Sequence, residues 1–159
     1  MKAYGLCEKG HIPGFYGVIE NIDLKTMGWE TYLEVFEGEP ELPNAVVIEF
    51  IPDLRPFDLS HYTAERADQL QATMSEIHGL GVEHGDVHQR NAKVHEETNR
   101  AIWIDFDRAI ICPLDLTTEG QKKDWRRAMA NEEERLLDAL VNLVSLSHFW
   151  FNVRGLPLL

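Results

Sequence analysis

Three runs of hydrophobic and aromatic residues in the first third of the chain predict β-strands. They lie at Phe15–Ile19, 29–36 and 45–51, and residues that favour turns separate them. This spacing predicts a small antiparallel layer. The third run is apolar almost without interruption, which is typical of a strand covered on both faces, and Pro52 prevents its continuation.

The pattern changes to a helical period in the middle of the chain. Apolar side chains recur there at steps of three or four residues, which predicts an amphipathic helix over 63–80. The residues that form this stripe are Ala64, Ala67, Leu70, Met74 and Ile77. Two short apolar runs, 92–95 and 101–106, follow and flank a polar turn, so we expect a β-hairpin.

The last part of the chain is predicted to be helical. Gln121 follows Thr118 by three residues, which is the spacing of a capping box, and apolar residues continue at helical steps from Trp125 onwards. The glutamates at 132–134 are expected to face solvent. Strands in the first part followed by helices make the expected fold class α+β.

Composition limits the class of protein to which the chain belongs. Its 159 residues carry 15 Lys and Arg against 27 Asp and Glu, and the net charge of -12 disfavours binding to nucleic acid or to an anionic membrane. The length suffices for one domain. The first residues lack the apolar run of a signal peptide, and Cys7 and Cys112 do not form a disulfide framework. We therefore expect a cytoplasmic or nuclear protein that is not secreted.

One polar segment concentrates side chains that can support chemistry. Asp86 and Asn91 lie five positions apart, and Asp105 follows the second strand of the predicted hairpin. Metal-assisted phosphoryl transfer needs a carboxylate that accepts a hydroxyl proton, together with oxygen ligands for Mg²⁺ such as an amide and a second carboxylate. The segment therefore predicts a phosphotransferase site.

The same residues resemble the motifs of the protein-kinase-like superfamily. The sequence His-Gly-Asp at 84–86 with Asn91 is similar to the catalytic loop in the HGD form of small-molecule kinases and fungal kinase-like proteins. The sequence Ile-Asp-Phe-Asp at 104–107 is similar to the metal-binding motif of that superfamily. The order of the predicted strands and helices also agrees with this fold.

The resemblance implies a single, incomplete kinase-like domain over 1–159. Residues 1–51 would be a remnant of the small β lobe, 52–62 the hinge or connector, and 63–159 a portion of the helical large lobe. The sequence contains neither the glycine-rich loop nor the lysine strand of the family. The resemblance therefore also implies an N-terminally truncated, pseudokinase-like protein with weak or no activity.

The resemblance further implies a role for each candidate site residue. It assigns the catalytic base to Asp86 and contact with the transferred phosphate to Arg90. It places ATP and Mg²⁺ at four further residues, which are Glu49, Ile51, Asn91 and Asp105. The first two would contact adenine through their backbone, and the last two would bind the metal. The acceptor, a protein hydroxyl or a small molecule, is not predicted.

Two alternatives to a kinase-like enzyme are open from the sequence. The first is a non-catalytic scaffold, whose acidic surface attracts a basic protein partner and whose incomplete small lobe exposes apolar surface for self-association. The second, more remote, is a non-haem iron oxygenase, since His84, Asp86 and His148 are the residue types of a two-histidine, one-carboxylate iron site. That site requires His84 and Asp86 on a barrel strand, which the pattern does not predict.

Overall fold

The described residues form two α-helices and three small antiparallel sheets, which agrees with the predicted α+β class. The structure is a computed structural model that describes residues 1, 5–23, 25, 28, 36, 39–112 and 118–154, with 146–154 described by their backbone alone. The strands are β1 (Phe15–Ile19), β2 (Ala45–Ile48), β3 (Arg55–Pro56), β4 (Val82–Glu83), β5 (Ala92–His95), β6 (Arg100–Trp103) and β7 (Ile110–Ile111). The helices are α1 (Ala64–Gly79) and α2 (Glu119–Arg154).

The sheets join strands from different parts of the chain. Strand β1 pairs with β2, β5 lies between β3 and β6, and β4 pairs with β7. The predicted hairpin is formed by β5 and β6, with Ala92 opposite Trp103 and His95 opposite Arg100. The N–H of Trp103 also donates to the carbonyl of His11 at 2.9 Å, so the segment before β1 lies along β6.

Helix α1 begins where the sequence predicts it. Thr63 Oγ1 accepts a hydrogen bond from the N–H of Arg66 at 3.2 Å, which satisfies one of the free N–H groups of the first turn. Leu70, Met74 and Ile77 on its apolar stripe are fully buried. The helix therefore supplies the centre of the core, as its period predicts.

Helix α2 carries the predicted capping box. Thr118 Oγ1 accepts the N–H of Gln121 at 3.3 Å, and Gln121 Oε1 accepts the N–H of Thr118 at 2.9 Å. Leu136, Leu140 and Leu143 of α2 join the same hydrophobic core as α1. Neither helix of the described chain has an apolar stretch long enough to cross a bilayer.

The expectation that the third strand is covered on both faces is wrong. Strand β2 ends at Ile48, and Val46 and Ile48 are 63% and 53% exposed. Within the described ranges β2 pairs with β1 and with no other strand, so the continuous apolar run reflects a strand without a packed layer. The strand predicted at 29–36 lies outside the described residues apart from Phe36.

Trp103 connects β6 to α1 and provides the first prediction. Its side chain is 1% exposed, and its Nε1–H donates to the carbonyl of Leu70 at 3.0 Å. We expect Trp103→Ala to lower the free energy of unfolding by about 3 to 5 kcal/mol, because it leaves a cavity and removes the hydrogen bond to the Leu70 carbonyl. Urea denaturation followed by circular dichroism measures the change.

The matched control for this prediction is Phe50→Ala, since Phe50 is an aromatic residue that is 86% exposed. Its free energy of unfolding should change by no more than about 0.5 kcal/mol. Equal losses in the two variants would contradict the placement of Trp103 in the core.

Candidate functional site

The loop between β4 and β5 lies against the segment that follows β6. Asn91 Nδ2 donates to both the main-chain oxygen and the carboxylate Oδ2 of Asp86, each at 2.9 Å. The carbonyl of Asn91 accepts the N–H of Ile104 at 2.9 Å, and Asp105 is the next residue. Asp86 and Asn91 are therefore in direct contact, and Asp105 is the residue after Ile104, whose N–H makes the backbone hydrogen bond to Asn91.

The carboxylate of Asp86 is held ionised and oriented. Arg90 Nη2 donates to Asp86 Oδ2 at 2.6 Å, alongside the amide of Asn91. The Arg90 hydrogen bond lowers the pKa of Asp86 below its ordinary value, and Asn91 adds to this effect, which outweighs the partial removal of the carboxylate from water. Both donors use Oδ2, and no described residue donates to Oδ1. Asp86 thus has one oxygen open to a substrate hydroxyl.

Asn91 and Asp105 are the two residues that the sequence predicts as metal ligands. Asn91 uses its Nδ2 group for Asp86, which leaves the amide oxygen without a donor among the described residues. Asp105 is exposed and adopts a left-handed backbone with φ of 65°, which is uncommon for a residue with a side chain. The described residues contain no cluster of three His, Cys, Asp or Glu suited to a metal. One amide and one carboxylate completed by water are the kind of ligand set that Mg²⁺ accepts.

A buried glutamate on α2 anchors this loop, and the expectation that all of 132–134 face solvent is wrong for it. Glu132 is 1% exposed, whereas Glu133 and Glu134 are exposed. Its Oε2 accepts the N–H of His84 at 2.9 Å, and its Oε1 accepts the N–H of Gly85 at 2.7 Å. Its position in the sequence could have indicated this burial, because Glu132 lies four residues before the buried Leu136 on a helix and therefore on the same face.

Glu132 also pairs with a histidine of α1. His78 Nε2 lies 3.0 Å from Glu132 Oε2, and His78 Nδ1 lies 3.1 Å from Glu133 Oε1. Burial alone would lower the pKa of His78, but the hydrogen bonds that it donates to the two carboxylates raise it. Burial alone would raise the pKa of Glu132, but hydrogen bonds from His78 and the two loop N–H groups lower it. Glu132 and His78 therefore form a buried charged pair, and the N–H groups of His84 and Gly85 replace water around the Glu132 carboxylate.

His84 braces the loop from inside the core. Its ring is fully buried. The centroid of the ring lies 4.5 Å from that of Phe106 and 5.4 Å from that of Trp103. Its Nε2 donates to the carbonyl of Ile104 at 3.2 Å. Burial lowers the pKa of His84, so the ring is neutral. His84 thus supports the loop as a structural group.

Gly85 allows the two segments of the site to approach closely. It has a φ of 78°, and a Cβ at this position would clash with the carbonyl oxygen of Arg108. A residue with a side chain would not fit here without movement of the backbone. The glycine of the HGD sequence is therefore required by the packing of the loop against 105–108.

The residues predicted to contact adenine lie at the end of β2. The N–H of Glu49 donates to the carbonyl of Gly14 at 2.7 Å, and Glu49 Oε2 accepts the N–H of Gly14 at 2.9 Å. No hydrogen bond among the described residues uses the carbonyl of Glu49 or the N–H of Ile51, so both groups are open to a ligand. None joins Glu49 or Ile51 to the loop of Asp86 either.

The described residues offer no support for an iron site. His84 is buried with Nε2 bonded to a carbonyl, which leaves that nitrogen unavailable to a metal. The side chain of His148 lies outside the described residues. The iron alternative therefore stays a prediction from residue types alone.

Comparison with known proteins identifies no relative that defines the site. No protein-family model matches the chain, and no curated protein matches it. The assignment of function therefore rests on the geometry of Asp86, Arg90, Asn91 and Asp105.

Removal of the Glu132 charge tests the anchor. We expect Glu132→Gln to lower the free energy of unfolding by about 2 to 4 kcal/mol, because it breaks a buried charged pair and weakens two hydrogen bonds to the loop. Hydrogen exchange at the amides of His84 and Gly85 should become faster as well. Denaturation by urea and exchange followed by NMR measure the two effects.

Glu134→Gln provides the control for the anchor, since Glu134 is exposed on the same helix. It should leave the free energy of unfolding within about 0.5 kcal/mol of the wild type. A similar loss in both variants, with unchanged amide exchange at His84, would show that Glu132 does not hold the loop.

The raised pKa of His78 predicts a pH dependence of stability. The folded protein holds this proton more tightly than the unfolded chain, so protonation of His78 stabilises the fold fully below the ordinary pKa of 6.5. The stabilisation is lost as pH rises through the higher pKa of the folded state. We expect the difference in free energy of unfolding between wild type and His78→Gln to shrink as pH rises above 6.5 and through the pKa of the folded state. A difference that stays constant over this range would contradict a raised pKa.

Proposed function

We propose that this chain is a partial kinase-like domain that binds ATP with Mg²⁺ and transfers phosphoryl groups weakly or not at all. The observation that carries the proposal is the ionised carboxylate of Asp86, oriented by Arg90 and Asn91 through Oδ2, with Asp105 one residue beyond Ile104, whose N–H donates to the Asn91 carbonyl. A carboxylate that orients a hydroxyl next to metal ligands is the arrangement that phosphoryl transfer uses.

Each side chain has a task in this proposal. Asp86 Oδ1 accepts the hydrogen of the acceptor hydroxyl and orients its oxygen towards the phosphorus. Arg90, whose side chain is 56% exposed, holds Asp86 with one N–H and offers the others to phosphate oxygens. Asn91 and Asp105 would hold Mg²⁺, which neutralises negative charge on the phosphates when it is bound.

Adenine recognition belongs to the end of β2. The carbonyl of Glu49 and the N–H of Ile51 supply one acceptor and one donor that the described residues leave open. Adenine offers a complementary donor and acceptor, so the two backbone groups would orient the base. The Gly14 contacts of Glu49 support this by holding the backbone in place.

Slow turnover follows from what the sequence does not contain. The sequence has no G-x-G-x-x-G loop before the end of β2 and no lysine in a Val-Ala-Ile-Lys context. Positioning of the triphosphate contributes most of the rate in phosphoryl transfer. A site with metal ligands but without these two groups is therefore expected to bind nucleotide better than it turns it over.

A non-catalytic scaffold is the second candidate function. The observation that favours it is the exposure of apolar side chains on both β1 and β2, including Tyr16 at 67% and Val46 at 63%. Exposed apolar patches of this kind mark binding surfaces for other proteins. Nucleotide binding at Asp105 and partner binding at β1–β2 are compatible in one pseudokinase-like protein.

The proposed compartment is the cytoplasm or the nucleus. Both cysteines of the chain, Cys7 and Cys112, are free thiols, and Cys112 is buried. Free thiols fit a reducing compartment.

A thermal-shift titration tests nucleotide binding. ATP with Mg²⁺ at about 100 times Kd should raise Tm by about 5 to 10 °C, since binding then adds about 2.7 kcal/mol to the free energy of unfolding. Asp105→Asn should lose the part of the rise that depends on Mg²⁺, because it removes a carboxylate ligand. Asp138→Asn is the matched control, because Asp138 is an exposed aspartate of α2 and should behave as wild type.

A phosphoryl-transfer assay separates binding from catalysis. Asp86→Ala should keep the thermal shift and lower any ATP turnover by about 100-fold or more, since it removes the base but not the metal ligands. No thermal shift in folded wild-type protein would contradict the nucleotide proposal and favour the scaffold.

A further inference from the structure

One face of the ribbon formed by β1 and β2 is apolar and open to solvent. Val18 lies opposite Val46 in the ladder, Tyr16 is the extra residue at a register shift between Phe15 and Gly17, and Ile48 lies on the same side of β2 as Val46. They are 52%, 63%, 67% and 53% exposed in that order. We call these four residues the ribbon face. All four side chains are more than half exposed, and exposed apolar surface of this kind marks sites of interaction.

The surroundings of the ribbon face are acidic. The segments that carry it, 13–23 and 39–53, contain no lysine or arginine. Their charged residues are Glu20, Asp23, Glu39, Glu41, Glu49 and Asp53. The nearest basic residues along the described chain are Lys25 and Arg55, each two residues beyond one of these segments. The ribbon face therefore lies in a negative field, which attracts a positively charged partner and repels a negatively charged one.

The ribbon also has an open backbone edge. Strand β2 pairs with β1 alone among the described residues, so its outer edge has N–H and C=O groups that no described strand uses. An extended segment can add to such an edge through main-chain hydrogen bonds. Every second side chain of the added strand would then lie on the same side as the ribbon face.

These features disfavour a second copy of the chain as the occupant. Two copies packed through the ribbon face would bring the six carboxylates of one chain near the same six of the other, with no cation in either ribbon segment. Like charges brought together in this way oppose association. An extended segment that alternates apolar residues with Lys or Arg could do three things at once. It could pack on the ribbon face, hydrogen-bond to the edge of β2 and pair with the surrounding carboxylates.

We propose that the β1–β2 ribbon binds an extended basic segment of a partner protein, which adds to the edge of β2 and covers the ribbon face. Apolar side chains of the partner contact Val18 and Val46. Its Lys and Arg side chains lie near the surrounding carboxylates. The inference rests on the scaffold function. Glu49 belongs both to the ribbon segments and to the proposed adenine contact, so a change at Asp105, and not at Glu49, separates the two proposals.

Titration of the full chain with a synthetic peptide tests the proposal. The probe is a fluorescein-labelled peptide of about ten residues that alternates valine and lysine, a length that spans one strand. Fluorescence anisotropy should show saturable binding to the wild type. The double variant Val18→Thr with Val46→Thr should bind at least about tenfold more weakly, because it places hydroxyls on the ribbon face. Threonine keeps the β-branched shape that suits a strand, so the fold is retained.

Three controls make the result specific. Val141→Thr, at a valine of α2 that is 60% exposed, should bind the peptide as wild type does. A peptide with glutamate in place of lysine should not bind, and added salt should weaken binding of the lysine peptide. Asp105→Asn should bind the peptide normally, which separates this inference from the nucleotide site.

Several outcomes would overturn the inference. One is no binding by folded wild-type protein, and another is equal binding by the double variant. Binding of the glutamate peptide with the same affinity would show that charge plays no part. Light scattering that finds a dimer of the chain alone, lost in the double variant, would identify a second copy as the occupant instead.

Discussion

A single buried carboxylate connects both helices to the loop that carries the candidate site. Glu132 on α2 accepts hydrogen bonds from His78 on α1 and from the N–H groups of His84 and Gly85. An ionised carboxylate can be buried only where such donors replace the water it has lost. Each of the three segments supplies a part of that replacement, so each depends on the position of the other two.

The loop that Glu132 anchors makes close contacts with the segment after β6. The loop of Asp86 meets the segment after β6 through the Asn91 carbonyl and through the close approach of Gly85 to Arg108. His84 adds a buried ring between them. Because these contacts hold the backbone on both sides, Asp86 keeps its orientation without a bound ligand, which is the condition for positioning a reacting group.

The ribbon of β1 and β2 differs in chemistry from the polar site at Asp86. Its side chains are apolar and exposed, and the charges around it are of one sign. The site at Asp86 selects a ligand through a few oriented polar groups, whereas the ribbon would select a partner through apolar area, an open edge and charge. The two proposed functions therefore belong to surfaces with different chemistry and can be separated by substitutions that affect only one of them.

Local patterns in the sequence determined the parts of the structure that depend on near neighbours. The helical period located α1, the spacing of Thr118 and Gln121 located the start of α2, and two short apolar runs around a polar turn located β5 and β6. The contact between Asp86 and Asn91 could also be predicted from the sequence, since the two residues are five positions apart in one loop. In each case the interacting groups lie within a few residues of one another.

Only the tertiary structure decided the burial of Glu132, the need for a glycine at Gly85 and the exposure of Val46. Glu132 binds N–H groups 47 and 48 residues earlier in the chain, and a run of glutamates contains no sign of them. Val46 has the sequence environment of a covered strand, but no described layer packs on it. The period of a pattern depends on the neighbouring residues, whereas burial depends on which distant segment packs against them, and the pattern does not specify that segment.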